Sequence, residues 1–304
     1  MRIGLTAGGS SVDRIVEQAL QAEADGFTSL WFPGAVGGDP LVAMALAGRA
    51  TTTIELGTAV VQTYPVHPVF QANRVAATAA ALGRPGLTLG VGPSHRPVIE
   101  GVYGLSYEHV GAHTEEYVGV LAPLLRGEPV HHQGEHLRVE VGAQSSPAQP
   151  VGLLLSALAP RLLRVAGEQT DGTILWMANA RSIEVHVAPR IAAAAAGAGR
   201  PRPRIVAGLP VAVHDDADEA RAVAAEVFAG YGVLPNYRRI LDIGGADGPG
   251  DAAIVGDEAA VAEQVVGLFA AGATDVWAAP FPVGDDRSGS RRRTRALLAE
   301  LARS

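Results

Sequence analysis

Short apolar runs alternate along this chain with longer stretches of helical spacing. Ile3 to Thr6 reads as a strand, and Ala7 to Ser11, small and glycine-bearing, as the loop at its end. From Val12 to Asp25 the apolar residues Val12, Ile15, Val16, Ala19 and Leu20 have the spacing of an amphipathic helix, and Gly26 stands where such helices stop. The same alternation continues. Thr28 to Phe32, Ile54 to Val61, Leu87 to Val91, Val151 to Leu155, Thr173 to Trp176, Ile205 to Val213 and Thr274 to Ala279 predict further strands. Asp39 to Arg49, Pro68 to Leu82, Glu108 to Leu125, Pro160 to Gly167, Ile183 to Ala198, Ala217 to Ala229, Glu258 to Ala271 and Arg292 to Arg303 predict the helices among them. Gly127 to Pro150 is polar and histidine-rich and reads as an insertion after the fourth strand–helix unit, with a small hairpin. Tyr231 to Ile254 reads as irregular and glycine-rich.

One unit recurs: ADGFTSLW (Ala24 to Trp31), TDGTILW (Thr170 to Trp176) and AAGATDVW (Ala270 to Trp277). Such periodicity is expected of stacked strand–helix units. Eight strands, nearly all separated by helices, in 304 residues fit an α/β chain folded as one (β/α)8 barrel over 1–304. A doubly wound sheet is the alternative, and no complete GxGxxG fingerprint with a following ribose-binding acid supports it.

Composition narrows the function. The chain is 48% hydrophobic and only 5% aromatic, so its core is built from Ala, Val, Leu and Ile. A net charge of −7 argues against nucleic acid as the main partner, since phosphate binding needs a basic surface. There is no cysteine, which excludes disulfides, thiolate metal sites and a cysteine nucleophile. Met1-Arg2 runs into the first strand without an apolar leader, and the Ala192 to Ala196 run is too short for a membrane span. The expectation is a cytoplasmic protein with no membrane partner.

Candidate chemistry gathers at strand ends. In LTLGVGPSH (Leu87 to His95), Gly92 and Pro93 stop the strand and leave Ser94 and His95 on the loop beyond it. The carboxyl ends of parallel strands are where sites form, and an imidazole there can donate a hydrogen bond or shuttle a proton. A solvated loop histidine is the plain alternative. Ser156-Ala157-Leu158-Ala159-Pro160 opens a helix whose free amides can take a phosphate. Nine histidines raise a metal reading, with a metal-dependent hydrolase as the rival function. His109 and His113 share a helix face, and His131, His132 and His136 fall in the insertion. There is no HExxH pattern, and Glu115 and Glu116 follow the pair instead of separating it, so no metal is expected. Arg291, Arg292, Arg293 and Arg295 open the last helix and read as a solvated charge run rather than a phosphate site.

GTAVVQTYPVHP (Gly57 to Pro68), LTLGVGPSH, SALAPRLLRVAGEQTDGTILW (Ser156 to Trp176) and AGRPRPRIVAGLPVAV (Ala198 to Val213) occur in an order and spacing that resemble the bacterial luciferase-like monooxygenase family. Within it the chain is most similar to oxidoreductases using coenzyme F420, a deazaflavin. The resemblance implies a barrel with the deazaflavin at its carboxyl-end mouth, exchanging hydride with a small organic substrate. An FMN-dependent relative and a non-catalytic cofactor-binding barrel are the alternatives. It further implies a bulge with a cis peptide at Ala59–Val60, where Ala59, Val60 and Val61 form a wall behind the ring. Gly92, Ser94 and His95 would hold the ring's polar edge, with His95 the candidate catalytic group. Ser156, Ala157, Leu158 and Ala159 would contact ring edge and phosphate through backbone. Trp176, Asn179 and Arg181 match a phosphate-side segment where relatives carry Lys or Thr; Arg181 could supply the charge, and Trp176 reads equally as core. Several relatives carry an acid or histidine after the second strand, where Pro33 and Gly34 stand here, which leaves the acid/base group unassigned. Loops after the second, fourth and seventh strands would shape the substrate pocket. A homodimer is the family expectation.

Overall fold

In the computed structural model, which describes residues 1–304 except 10, 35–37 and 144–146, eight parallel strands close into a barrel. They are β1 (Ile3–Thr6), β2 (Ser29–Phe32), β3 (Glu55–Thr58), β4 (Leu87–Gly92), β5 (Val151–Leu155), β6 (Gly172–Trp176), β7 (Arg204–Val213) and β8 (Asp275–Pro280). Gly4 pairs with Ser29 on one side and Trp277 on the other, so β1 closes the ring between β2 and β8. The main helices are α1 (Val12–Ala24), α2 (Pro40–Ala50), α3 (Pro68–Leu82), α4 (Val110–Leu125), α5 (Pro160–Gln169), α6 (Ala188–Gly197), α7 (Ala217–Val227), α8 (Pro235–Gly244), α9 (Glu258–Ala270) and α10 (Arg287–Arg303). Among the described residues, no helix is long and apolar enough to cross a membrane. An antiparallel hairpin, Val130–Gln133 with Arg138–Val141, lies between α4 and β5. The region expected as an insertion also contains 144–146, which lie outside the described residues, as does Ser10 in the first loop.

The barrel interior pairs large residues with absent ones. Trp31 stands opposite Gly57, Trp277 opposite both Gly4 and Gly208, and Trp176 opposite Gly208. A Cβ at Gly57 would lie 2.3 Å from the Trp31 ring, and one at Gly208 2.1 Å from Trp277. The three recurring tryptophans therefore meet inside one barrel, packed with Leu154, Ile174 and Val206. At the amino end, Arg204 bridges Glu55 at 2.9 Å and Asp275 at 2.7 Å. Arg2 joins the same pair, so the first residues of three strands are tied together.

Four elements differ from the sequence expectation. The third strand, read from its pattern as continuous over Ile54 to Val61, breaks after Thr58; the break is at a cis Ala59–Val60 bond, the one the resemblance implied, and Val61–Gln62 then returns to β4. Gly57 pairs with Thr88 and Val61 with Val91, four steps on one strand against three on the other, which is a bulge. The buried Thr58 hydroxyl bridges the gap, accepting from the Gly90 amide at 2.8 Å and donating to its carbonyl at 2.7 Å. Second, Ile183 to Ala198 is not one helix, because a π-turn over Ile183–Val187 precedes α6. Third, the stretch read as irregular contains α8. Pro235 starts that helix, Gly245 ends it at φ 69°, and Ile240, Leu241 and Gly244 are its buried face. The last helix also starts earlier, at Arg287, because Asp286 caps it by accepting from the Gly289 amide.

Candidate active site

At the carboxyl end of the barrel three chambers meet around Val60 and Tyr237, which border all of them. The first, about 260 Å³, descends between Trp176 and Trp277. The second, about 570 Å³, opens between the loops after β2, β4 and β7, and carries Asp39, Arg74 and Tyr103. The third, about 170 Å³, runs from Ser94 to the start of α5.

The bulge presents Ala59 and Val60 at the centre of this mouth. Glycine at 92 is required there, since a Cβ would lie 2.8 Å from a Val60 methyl and 3.0 Å from the Ser156 Cβ. Beyond β4 the backbone turns at Ser94, which holds φ 62°. An L-residue pays for that conformation, and two partners hold it. The Tyr107 hydroxyl donates to the Ser94 carbonyl at 2.7 Å, and the Gln62 amide donates to its hydroxyl at 3.2 Å. Burial pushes the Tyr107 phenol up to about 12, with Tyr64 adding to the effect, so it remains a donor. His95 follows, half-buried, its ring 5.5 Å from that of Tyr237. Burial lowers its pKa and favours the neutral imidazole.

On the far side of Val60, the Ser156 amide bonds the Val91 carbonyl at 2.8 Å and sets the turn into α5. Ala159 caps that helix without a side-chain bond, and proline at the first position leaves the amides of Arg161 and Leu162 unfilled. The buried His186, on the π-turn, bonds the Leu158 carbonyl through Nε2 at 2.8 Å and steadies this turn from below. The Arg161 side chain lines the third chamber and pairs with Glu115 at 2.8 Å.

Of the residues expected from the sequence, Ala59, Val60, Val61, Gly92, Ser94, His95, Ser156, Leu158, Ala159 and Trp176 line these chambers. Three do not. Ala157 is fully buried beneath the turn. Asn179 is spent on structure, accepting from the Ser182 amide at 3.0 Å and donating to the Gly244 carbonyl at 3.1 Å. Arg181 is exposed and lines none of the chambers. In the four-arginine run, Arg293 bonds Asp215 and Glu258 at 2.7 Å and Arg295 bonds Asp25 at 2.6 Å. His113 stacks on Tyr64 with ring centroids 4.0 Å apart, and His132 faces Glu116. Among the described residues no group of three or more ligating side chains could hold a metal.

The sequence reading missed Tyr231 and Tyr237, which come from the stretch read as irregular, and Phe228, which it placed near the end of the helix Ala217 to Ala229. Pro235 followed by Tyr237, Ile240, Leu241 and Gly244 was the available signal. It also missed the acid in the mouth. A Cβ at Gly34 would lie 2.8 Å from the Val60 carbonyl, so no side chain fits at this position after β2. Asp39 lies farther along the same loop, where it caps α2 and pairs with Arg74.

A profile of the luciferase-like monooxygenase family matches residues 2–288. The 5,10-methylenetetrahydromethanopterin reductase of Methanolobus tindarius is 26% identical over 253 residues, covering 78% of this chain and 76% of its own. The reductase of the same name from Methanopyrus kandleri is 25% identical over 288 residues, covering 80% and 81%. Among solved structures, an F420-dependent secondary alcohol dehydrogenase with an F420-acetone adduct superposes with a TM-score of 0.78 at 18% identity, over 97% of both chains. The oxygenating constituent of 3,6-diketocamphane monooxygenase from Pseudomonas putida, in complex with FMN, gives 0.74 at 17% identity, over 100% and 98%. At these identities the structural matches speak to the fold: a closed barrel of eight parallel strands with surrounding helices.

Proposed function

The chain belongs to the luciferase-like monooxygenase family, and from that premise we propose that it is a coenzyme F420-dependent oxidoreductase passing a hydride between the deazaflavin and a small organic substrate. One observation carries this reading. The apolar wall at Ala59–Val60 continues directly into the third chamber, which ends at the unfilled amides of α5 and the Arg161 guanidinium. A flat ring with an anionic tail matches that sequence of surfaces: apolar face, polar edge, cationic end. The relatives named as reductases support F420 over FMN.

When bound, the deazaflavin supplies the carbon that gives or takes hydride. The protein's part is placement. Ala59, Val60 and Val61 would back one ring face and leave the other open to substrate. Ser156, Leu158, Ala159 and the first α5 amides take the tail, with Arg161 beside them. Asn179 and Arg181 are left out of this assignment. His95, kept neutral by burial, offers one nitrogen as donor and one as acceptor to the ring's polar edge or to a substrate proton. The loops after β2, β4 and β7 screen the mouth from water. A second copy of the chain is the proposed partner: Val42 and Leu46 line a groove between α2 and α3 and are 55% and 48% exposed, and Phe70 on α3 is 62% exposed.

Titration of the purified protein with F420 beside FMN, followed by cofactor fluorescence, tests the assignment. Saturable F420 binding, weakened about tenfold in Arg161→Ala by loss of one charge-assisted contact, is the expected result. Preference for FMN would move the protein to the flavin branch, and binding of neither would overturn the proposal.

A further inference from the structure

Resting on that reading, we infer that the first chamber is the substrate's, and that the substrate is an uncharged, largely hydrocarbon molecule presenting one hydrogen-bond acceptor oxygen. The chamber's walls carry the argument. Trp176, Trp277, Phe228, Tyr231 and Tyr237 all line it, with Ile174 on the barrel side. The ring centroids of Trp176 and Trp277 lie 5.0 Å apart, and Tyr231 stands edge-on to Trp176 at 5.8 Å and to Tyr237 at 5.0 Å. These rings pack on one another in offset and edge-on contacts and so form a continuous apolar wall against which a flat guest can lie.

Among the described residues no carboxylate, guanidinium or imidazole lines this chamber. A charged substrate group would shed its hydration there with nothing to replace it. Burial raises the Tyr231 and Tyr237 phenols, so both stay neutral at working pH. The second chamber contrasts with it, since Asp39 and Arg74 stand there already paired to each other.

The polar groups say what the apolar guest must carry. The Thr6 hydroxyl is spent on the Ala278 carbonyl at 3.1 Å, and the Trp277 indole on the Leu175 carbonyl at 3.1 Å. The Trp176 indole N–H is buried and completes no hydrogen bond, although it is near enough to the Tyr231 hydroxyl to favour its ionised form. Buried donors are nearly always satisfied in folded proteins. An indole can only donate, so its missing partner is an acceptor, such as a ketone or alcohol oxygen. The repeat that ends in Trp176 thus supplies a wall residue and a recognition group in one side chain.

Calorimetric titration with α-tetralone and with a tetralin carboxylate of similar size tests this, on the apo-protein and again with saturating F420. The ketone should bind one to one, at least about tenfold more tightly than the carboxylate, and with its affinity undiminished by F420. Trp176→Phe keeps a ring and removes the donor; it should weaken the ketone about tenfold while leaving the melting temperature in place. Equal binding of the carboxylate, or no effect of Trp176→Phe, would overturn the inference. Competition between ketone and F420 would also overturn it, by assigning the chamber to the cofactor's ring. Ketone selectivity without F420 binding would instead sink the cofactor reading and uphold the chamber's specificity.

Discussion

Tyr107→Phe isolates the force that places His95. The variant keeps the buried ring and loses one hydrogen bond, from the Tyr107 hydroxyl to the Ser94 carbonyl at 2.7 Å. Such a bond contributes about 1 kcal/mol net. An L-residue in the left-handed region costs roughly 1–2 kcal/mol, and Ser94 sits there at φ 62°. The two terms are of similar size and opposite sign, so without the hydroxyl the Ser94 turn and its relaxed alternative become close in energy. The expected global effect is small, about 1 kcal/mol and roughly 2 °C in melting temperature for a chain of this size. The expected local effect is large. His95 leaves its contact with Tyr237 for water, and its pKa, lowered by burial, rises back toward 6.5. Proton NMR titration of the imidazole, assigned with His95→Gln, reads this directly and needs no cofactor. Ser94→Gly in the same background removes the strain and should restore the depressed pKa. Alone it should be nearly neutral, because strain relief is offset by the freedom of glycine in the unfolded chain. An unchanged His95 titration in Tyr107→Phe, or no restoration by Ser94→Gly, would refute the reasoning.

Thr58→Val keeps shape but strands both polar groups of Gly90, which the buried hydroxyl now bonds; a loss of roughly 2–4 kcal/mol by denaturant unfolding is expected, and Thr58→Ser should recover most of it. Burial raises the Glu23 carboxyl, but amides of Thr53, Ile54 and Thr52 outweigh it and hold the group at about 2. Because that is below 4.5, its contribution is present above pH 4.5 and is lost as pH falls through about 2. Screening of this half-open side chain limits it to roughly 1 kcal/mol, so the stability gap between wild type and Glu23→Gln in urea melts should close in acid. Val42→Asp combined with Leu46→Asp charges the α2–α3 groove, and light scattering should then report a monomer in place of the dimer proposed for the wild type; unchanged mass would remove this face from the assembly.

Periodicity was enough to place all eight barrel strands, because parallel strands buried on both faces read as apolar runs between amphipathic helices. Glycine and proline punctuation placed Ser94 and His95 beyond β4 for the same local reason. What stayed hidden depends on pairing across the barrel. The apolar pattern of Ile54 to Val61 does not mark where the ladder slips, and the slip exists only against Thr88 and Val91; the family resemblance, not periodicity, located it at Ala59–Val60. Asn179 and Arg181 have residue types suited to a phosphate, but the contacts with Gly244 and Ser182 turn Asn179 to structural use and Arg181 lies exposed outside the chambers.

The tryptophan repeat shows how far such a pattern reaches. Three matching units imply that each indole occupies an equivalent place, and all three do point into the barrel. Equivalence ends at the neighbouring strand. Trp31 faces Gly57 and is fully buried; Trp277 faces Gly4 and Gly208 and spends its N–H on the Leu175 carbonyl. Trp176 shares Gly208 with Trp277 from the other side. One glycine serving two indoles cannot seat both at equal depth, since the space left by a missing side chain is filled once. Trp277 takes it, as the 2.1 Å approach to Gly208 indicates, and Trp176 remains at the wall of the chamber with its donor unspent. A repeat that would otherwise have made three core residues thereby makes two core residues and one binding group, and the choice between them is set by a single glycine on β7.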